Sequence, residues 1–197
     1  GHEVLVVPMY LPVLPDEGAE LATAPVFFGA ISTYLRQNVQ AMRKLPRWMG
    51  RMLDSPRLLD WAASKSGSTR ASGLGDMTLA MLKGEEGLHA PALDELVMWL
   101  KAQARPDVIH LSNALLLGLA RRLRTGLDVP VVCSLQDEDT WVDAMDEKMA
   151  AGVWGAIAER AADVALFLPV SCYYSGVFQK KTGIPDDRMR VVQIGID

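Results

Sequence analysis

V-P-V-V-C-S-L-Q-D-E-D-T-W, Val129–Trp141, is the stretch whose reading decides the fold. An apolar run, Val131–Leu135, is entered through Pro130 and left abruptly through Gln136, Asp137, Glu138 and Asp139. Short apolar runs with such borders read as strands buried on both faces of a parallel sheet. The polar residues then stand just past the carboxyl end of the strand, where open α/β sheets bind their ligands.

The flanking sequence repeats this grammar. Pro106-Asp107 leads into a short strand, Val108–Leu111, and Ser112 or Asn113 can cap a helix over Ala114–Arg124 that Gly126 ends. After Asp139 a helical stretch runs to about Ala162, with Trp141, Met145, Met149, Val153, Trp154 and Ile157 as its apolar contacts. Asp163 precedes a strand over Val164–Val170, and Ser171 stands at the cap of a helix over Tyr173–Lys181. Gly183 is a C-cap, Ile184-Pro185 a stop, and Arg190–Ile194 a last strand. Strand alternating with helix predicts parallel, right-handed βαβ units: an α/β fold with a Rossmann-like parallel sheet and flanking helices.

Toward the amino terminus, Gly1-His2-Glu3 reads as a helix C-cap feeding the strand Val4–Val7, so a strand and a helix are expected upstream. From Met9 to Leu100 the strand grammar disappears. Tyr10–Pro25 is expected to be a loop. Val26–Leu45 carries a helical pattern, Arg47–Leu53 and Pro56–Ser64 read as short helices, and Lys65–Gly73 as a mobile connection or exposed turn. Leu74–Lys83, stopped by Gly84, and Ala90–Ala104, with Leu93, Leu96, Val97 and Leu100 on one face, are further helices. Residues of about 25–104 are therefore expected to be a helical insertion in one domain spanning 1–197.

A chain of 197 residues that is 50% apolar and 22% charged has material for a sizeable core. Its net charge of -4 gives no reason to expect nucleic acid. Cys133 and Cys172 suit reduced thiols in a cytoplasmic protein, packing rather than attacking, since no basic cluster accompanies them. His2, His89 and His110 show no metal-ligand spacing, and no metal site is expected. The sequence read gives no reason to expect a signal peptide, and no run in it is long enough to span a bilayer. Residues 36–57 hold Arg36, Arg43, Lys44, Arg47, Arg51 and Arg57 against Asp54 alone, with Trp48, Met49, Met52 and Leu53 between. This is either a solvated helical face over a core or a peripheral contact with anionic lipid at the inner membrane face.

The candidate site residues each admit two readings. Asp137, Glu138 and Asp139 are a general base or carboxylates for a ligand, or else the first-turn acids that a helix dipole favours. Gln136 offers a neutral amide that can bind sugar hydroxyls without desolvating a charge. His110 reads as a satisfied core histidine. Asn113 and Ser171 are caps whose neighbouring free amides can also receive an anion. Phe27-Phe28-Gly29 opens a helix, and the glycine allows close approach of a ligand, or marks a simple turn.

Pro106–His110, then Val129–Val132 with its polar strand end, resembles the N-terminal domain of family 4 glycosyltransferases of the GT-B type. So do Ala162–Val164 through Pro169–Ser171, Thr182–Val192 and Gly195–Asp197. Pro25–Ala30 resembles the acceptor-side loop of a bacterial subgroup, and Gly1–Val4 the approach into that domain's second strand. The resemblance implies one half of a GT-B fold, truncated, with its first strand and its C-terminal domain absent, and open to self-association at the incomplete sheet. It implies a retaining transfer from a nucleotide sugar, a substrate and not a cofactor, to a glycan or lipid-linked acceptor, this chain being the acceptor-binding half and inactive alone. Gln136, Asp137 and Glu138 would then be catalytic, and Phe28, Gly29, Asn113, Asp139 and Ser171 would bind substrate. Many members carry a histidine where this chain has Gln136, which corresponds by position only. The rival readings are a non-catalytic sugar- or protein-binding domain derived from the same fold, and a GT-B epimerase of nucleotide sugars. No dinucleotide-binding fingerprint is present.

Overall fold

A computed structural model describes residues 2–9, 22–23, 27–28, 71–193 and 195. The chain divides into two compact units, residues 1–69 and 70–197. In the first, β1 (Leu5–Val6) pairs in parallel with β2 (Ala22–Thr23), Leu5 opposite Ala22 and Val6 opposite Thr23. A strand at 22–23 corrects the expectation of a continuous loop to Pro25; two residues of pairing are too short to leave a period-2 pattern. Of the helix expected over Val26–Leu45 only Phe27 and Phe28 are described; its remainder, the helices expected over Arg47–Leu53 and Pro56–Ser64, the basic stretch 36–57 and Gly29 lie outside the described residues.

In the second unit, α1 (Ala71–Lys83) runs into a 3₁₀ turn, Gly84–Glu86, and α2 (Ala90–Gln103) follows with a proline in its first turn. The helix α1 takes in Ala71–Gly73, which the sequence assigns to a mobile connection. Leu93, Leu96, Val97 and Leu100 are all buried, as their spacing predicts. Next come β3 (Ile109–Leu111), a 3₁₀ segment Ala114–Leu119 continuing into α3 (Ala120–Leu127), and β4 (Val131–Leu135). Gly126 does not end α3. Asp128 does, in the left-handed region at φ 59°, a conformation that a short acidic side chain tolerates. Gly126 instead lets α3 approach α2, since a Cβ there would lie 2.6 Å from Val97 Cγ1.

The stretch read as one helix from Asp139 to Ala162 is two. A short α4 (Glu138–Val142) is followed by α5 (Glu147–Arg160), because Asp146 is extended and its carboxylate accepts from Met149 N at 3.0 Å, starting a new helix. The first turn of α4 buries Glu138 and, four residues on, Val142, which leaves Trp141 on the outside, 42% exposed, contrary to its expected core role. The unit continues with β5 (Leu166–Pro169) and α6 (Cys172–Thr182), which closes on Gly183 at φ 71°.

The strands β3, β4 and β5 form a parallel sheet in that order, with Leu111 opposite Cys133 and Cys133 opposite Phe167. Val131, Cys133 and Leu135 alternate onto one face and are fully buried. The same face is packed by Phe167, and Phe167 meets Phe178 of α6 with ring centroids 5.7 Å apart. Val132, Ser134, Leu166 and Leu168, on the other face, are half-buried. His110 shares this second face and is exposed, its Nε2 2.7 Å from Ser134 Oγ, so it is not the core histidine expected. Alternation places it opposite Val132, away from the packed layer. Past Pro185 the chain returns beside β5: Met189 bridges Phe167 in parallel, and Arg190 N and Val192 N donate to the Phe167 and Pro169 carbonyls at 2.9 Å. The last strand expected over Arg190–Ile194 is thus a short bridged segment starting one residue earlier. Among the described residues no helix is long and apolar enough to cross a membrane.

Candidate functional site at the carboxyl ends of the strands

Three successive strand ends deliver the polar residues. Leu111 is followed by Ser112-Asn113, Leu135 by Gln136–Asp139, and Pro169 by Val170-Ser171. Because the strands are parallel and adjacent, these turns share one edge of the sheet.

Each turn is held by its own chemistry. Asn113 is extended and its Oδ1 accepts from Leu115 N at 3.1 Å, capping the 3₁₀ segment. Ser171 is likewise extended, and its Oγ accepts from Tyr174 N at 3.1 Å, capping α6. Both cap roles are as expected, and both side-chain oxygens are engaged in them. Gln136 and Asp137 are exposed. The amide of Gln136 reaches across with Nε2 3.4 Å from the Ser112 carbonyl oxygen, joining the β3 and β4 turns at the surface. Asp137 precedes α4 and makes no capping bond with its side chain.

Glu138 is different in kind. It is 4% exposed, and its carboxylate takes three donors. Oε1 accepts from Ala114 N at 2.8 Å, and Oε2 accepts from Gln136 N at 3.1 Å and from the Tyr174 hydroxyl at 2.6 Å. The Tyr174 oxygen also accepts from Asp139 N at 3.3 Å. Burial, then the hydrogen bond to the Glu138 carboxylate, hold the Tyr174 phenol far above its ordinary range, so it stays a donor. Asp139 is half-buried beside this pair. Phe28 is 1% exposed and belongs to the unit of residues 1–69, while Gly29 is outside the described residues.

The structure thus gathers Asn113, Gln136, Asp137, Glu138, Asp139 and Ser171 on one edge, with Gln136 and Asp137 open to solvent and Glu138 turned inward. Tyr174 was missed in the sequence, where it reads only as a residue of the last helix. The signal available was indirect: a buried acid needs donors, and Tyr174 follows the next strand end by one helical turn.

The family pattern of Glycosyltransferase Family 4 matches residues 76–197, more than half of the chain. The chain belongs to this family. Comparison with curated proteins and with solved structures gave no match. The matched segment starts within α1 and contains every residue of the strand-end site. In this family 4 glycosyltransferase-type domain, Gln136 and Asp137 present one amide and one carboxylate to solvent. The Glu138–Tyr174 pair lies behind them. Among the described residues no group of three or more His, Cys, Asp or Glu side chains is arranged to hold a metal ion.

Proposed function

We propose that this chain is the N-terminal, acceptor-side half of a GT-B glycosyltransferase of bacterial type. The full-length protein would move a sugar, with retention, from a nucleotide-sugar donor to a glycan or lipid-linked acceptor. The observation that carries the reading is an exposed Gln136-Asp137 pair at the carboxyl end of the central strand β4, inside the segment matched to the family. Retaining transfer demands stabilisation of the leaving phosphate and of oxocarbenium character at the sugar. In this scheme a C-terminal domain binds the nucleotide and carries the first task. This half orients the acceptor and excludes water, so that transfer outruns hydrolysis.

Gln136 bonds hydroxyl groups of donor or acceptor through its amide, and Asp137 orients the acceptor hydroxyl. Asn113, Asp139 and Ser171 frame the edge. No resident cofactor enters the scheme. Residues 36–57 rest on the cytoplasmic membrane face, where a lipid-linked acceptor is reached; liposome flotation after Arg43, Arg47 and Arg51 are changed to Glu tests this, and unchanged binding to anionic vesicles would remove it.

The functional test is a panel of nucleotide sugars offered to the full-length protein with glycan and lipid-linked acceptors. Turnover with one donor is expected, and Gln136→Ala should lower kcat at least about tenfold. Absence of turnover across the panel, with sugar binding retained, would favour a non-catalytic binding domain. A wild-type rate in Gln136→Ala would remove Gln136 from the site.

A further inference from the structure

The burial of Glu138 asks for an explanation that stability alone does not supply. Taking a carboxylate out of water is expensive, and well-packed apolar side chains serve stability equally well or better. Among the described residues no Lys, Arg or His bridges Glu138; the ion pairs of this unit are formed by other acids. What the carboxylate has instead is three directional donors, and they come from three different places. Ala114 N opens the segment after β3, Gln136 N is the first amide after β4, and the Tyr174 hydroxyl stands in the first turn of the helix after β5. A third amide, Asp139 N, closes on the Tyr174 oxygen. Leucine or phenylalanine at these positions would fill the space and fix nothing.

We propose that Glu138 and Tyr174 act as a positioning pair that fastens the three strand-end turns to one another and so sets the placement of Gln136 and Asp137. Glu138 itself touches no substrate; its oxygens are occupied by the protein. This rests on the glycosyltransferase reading for its catalytic consequence, but the fastening can be measured without it. A carboxylate is required because all its neighbours are donors. The substitution Glu138→Gln would turn an NH₂ toward one of them and leave a buried donor unmet. Tyr174 needs its hydroxyl because that one oxygen both donates to Glu138 and accepts from Asp139.

The test uses Tyr174→Phe and Glu138→Gln in the full-length protein. Native-state amide exchange is the first readout. In both variants, the amides of Ala114, Gln136 and Asp139 should exchange about tenfold faster or more as a group, while those of α2 stay as in the wild type. If Tyr174→Phe affects only Asp139, which loses its direct acceptor, the turns are not coupled and the proposal is overturned. The second readout is steady-state kinetics. With the wild type active, Tyr174→Phe should lose about tenfold to a hundredfold in kcat, the scale of a small misplacement of catalytic groups. Its KM for the nucleotide sugar should change less than about twofold, since this pair does not contact the donor. An unchanged kcat would also overturn the proposal. A wild-type protein without turnover would defeat the glycosyltransferase reading instead, and amide exchange would then decide the pair alone.

Discussion

Gly84 and Gly118 meet backbone to backbone. A Cβ on Gly84 would lie 1.8 Å from the Gly118 carbonyl oxygen, and a Cβ on Gly118 would lie 2.0 Å from that of Met81. The end of α1 and the 3₁₀ segment after β3 therefore touch with no side chain between them. Gly84 also holds φ at 53°, a region closed to most residues. Gly84→Ala should cost about 2–4 kcal/mol, combining backbone strain of about 1 kcal/mol with overpacking of about 1–3 kcal/mol. Gly118→Ala, which lacks the strained φ, should cost less than Gly84→Ala but still more than about 1 kcal/mol by overpacking alone. Urea unfolding of both variants checks the order; either variant within about 0.5 kcal/mol of wild type would mean that the two backbones separate freely.

At the opposite end of the strands, Asp163 accepts from Arg121 Nε at 2.9 Å and Arg124 Nη2 at 3.0 Å, tying α3 to the turn that enters β5. The carboxylate is nearly buried while the two guanidinium groups are partly exposed. Asp163→Asn keeps the shape but turns an amide donor toward an arginine. About 1.5–3 kcal/mol of stability should be lost, the range for a charge-assisted bond, toward the lower end because the arginines can rehydrate. Glu85 lies 3.7 Å from Arg121 at the surface, and Glu85→Gln should cost less than about 0.5 kcal/mol. Equal losses from the two substitutions would contradict this ranking.

What the sequence made legible follows from how local each determinant is. Val131–Leu135 shows its own bounds, Pro130 before and Gln136 after, and the strand occupies those residues. Ser171 and Gly183 bracket the last helix through cap chemistry that acts within four residues. The break between α4 and α5 was less visible, because an apolar period of about 3.6 persists across it and Asp146 looks like any surface acid until its bond to Met149 N is seen. His110 was misplaced because strand parity decides its face, and parity depends on pairing with β4. The Glu138–Tyr174 bond joins residues 36 positions apart, across the intervening helices and β5, and no local pattern encodes it.

The two thiols should behave oppositely. Cys133 is fully buried in β4, and burial, then the nearby charge of Glu138, push its pKa well above the ordinary thiol value. Cys172 opens α6 and is exposed. A disulfide-exchange reagent at about pH 8 should therefore reach and modify Cys172 readily. Cys133 should react at least about a hundredfold more slowly, limited by opening of the fold, and at full rate in denaturant. Labelling followed by peptide mass analysis separates the two sites, and comparable native rates would show that β4 is not sealed.

His89 supplies a pH dependence of defined sign. It precedes α2, is 5% exposed, and burial lowers its pKa below the ordinary 6.5. In the folded state the imidazole gives up its proton at lower pH than in the unfolded chain, so between the folded value and 6.5 the unfolded state binds more protons. Stability from this group is fully present above 6.5 and is lost progressively as the pH falls through the folded value. Below that value the imidazole is charged in both states, and the loss is complete. The Asp143–Lys181 pair acts at lower pH, since Lys181, as donor to Asp143, depresses an already acidic pKa. The histidine contribution can therefore be isolated between about pH 7 and pH 5. The unfolding free energy of the wild type should fall relative to that of His89→Gln as the pH drops across that interval, the wild type being the more pH-dependent of the two. Parallel curves across that interval would mean that His89 titrates alike in the folded and unfolded chain, and burial would not be governing its charge.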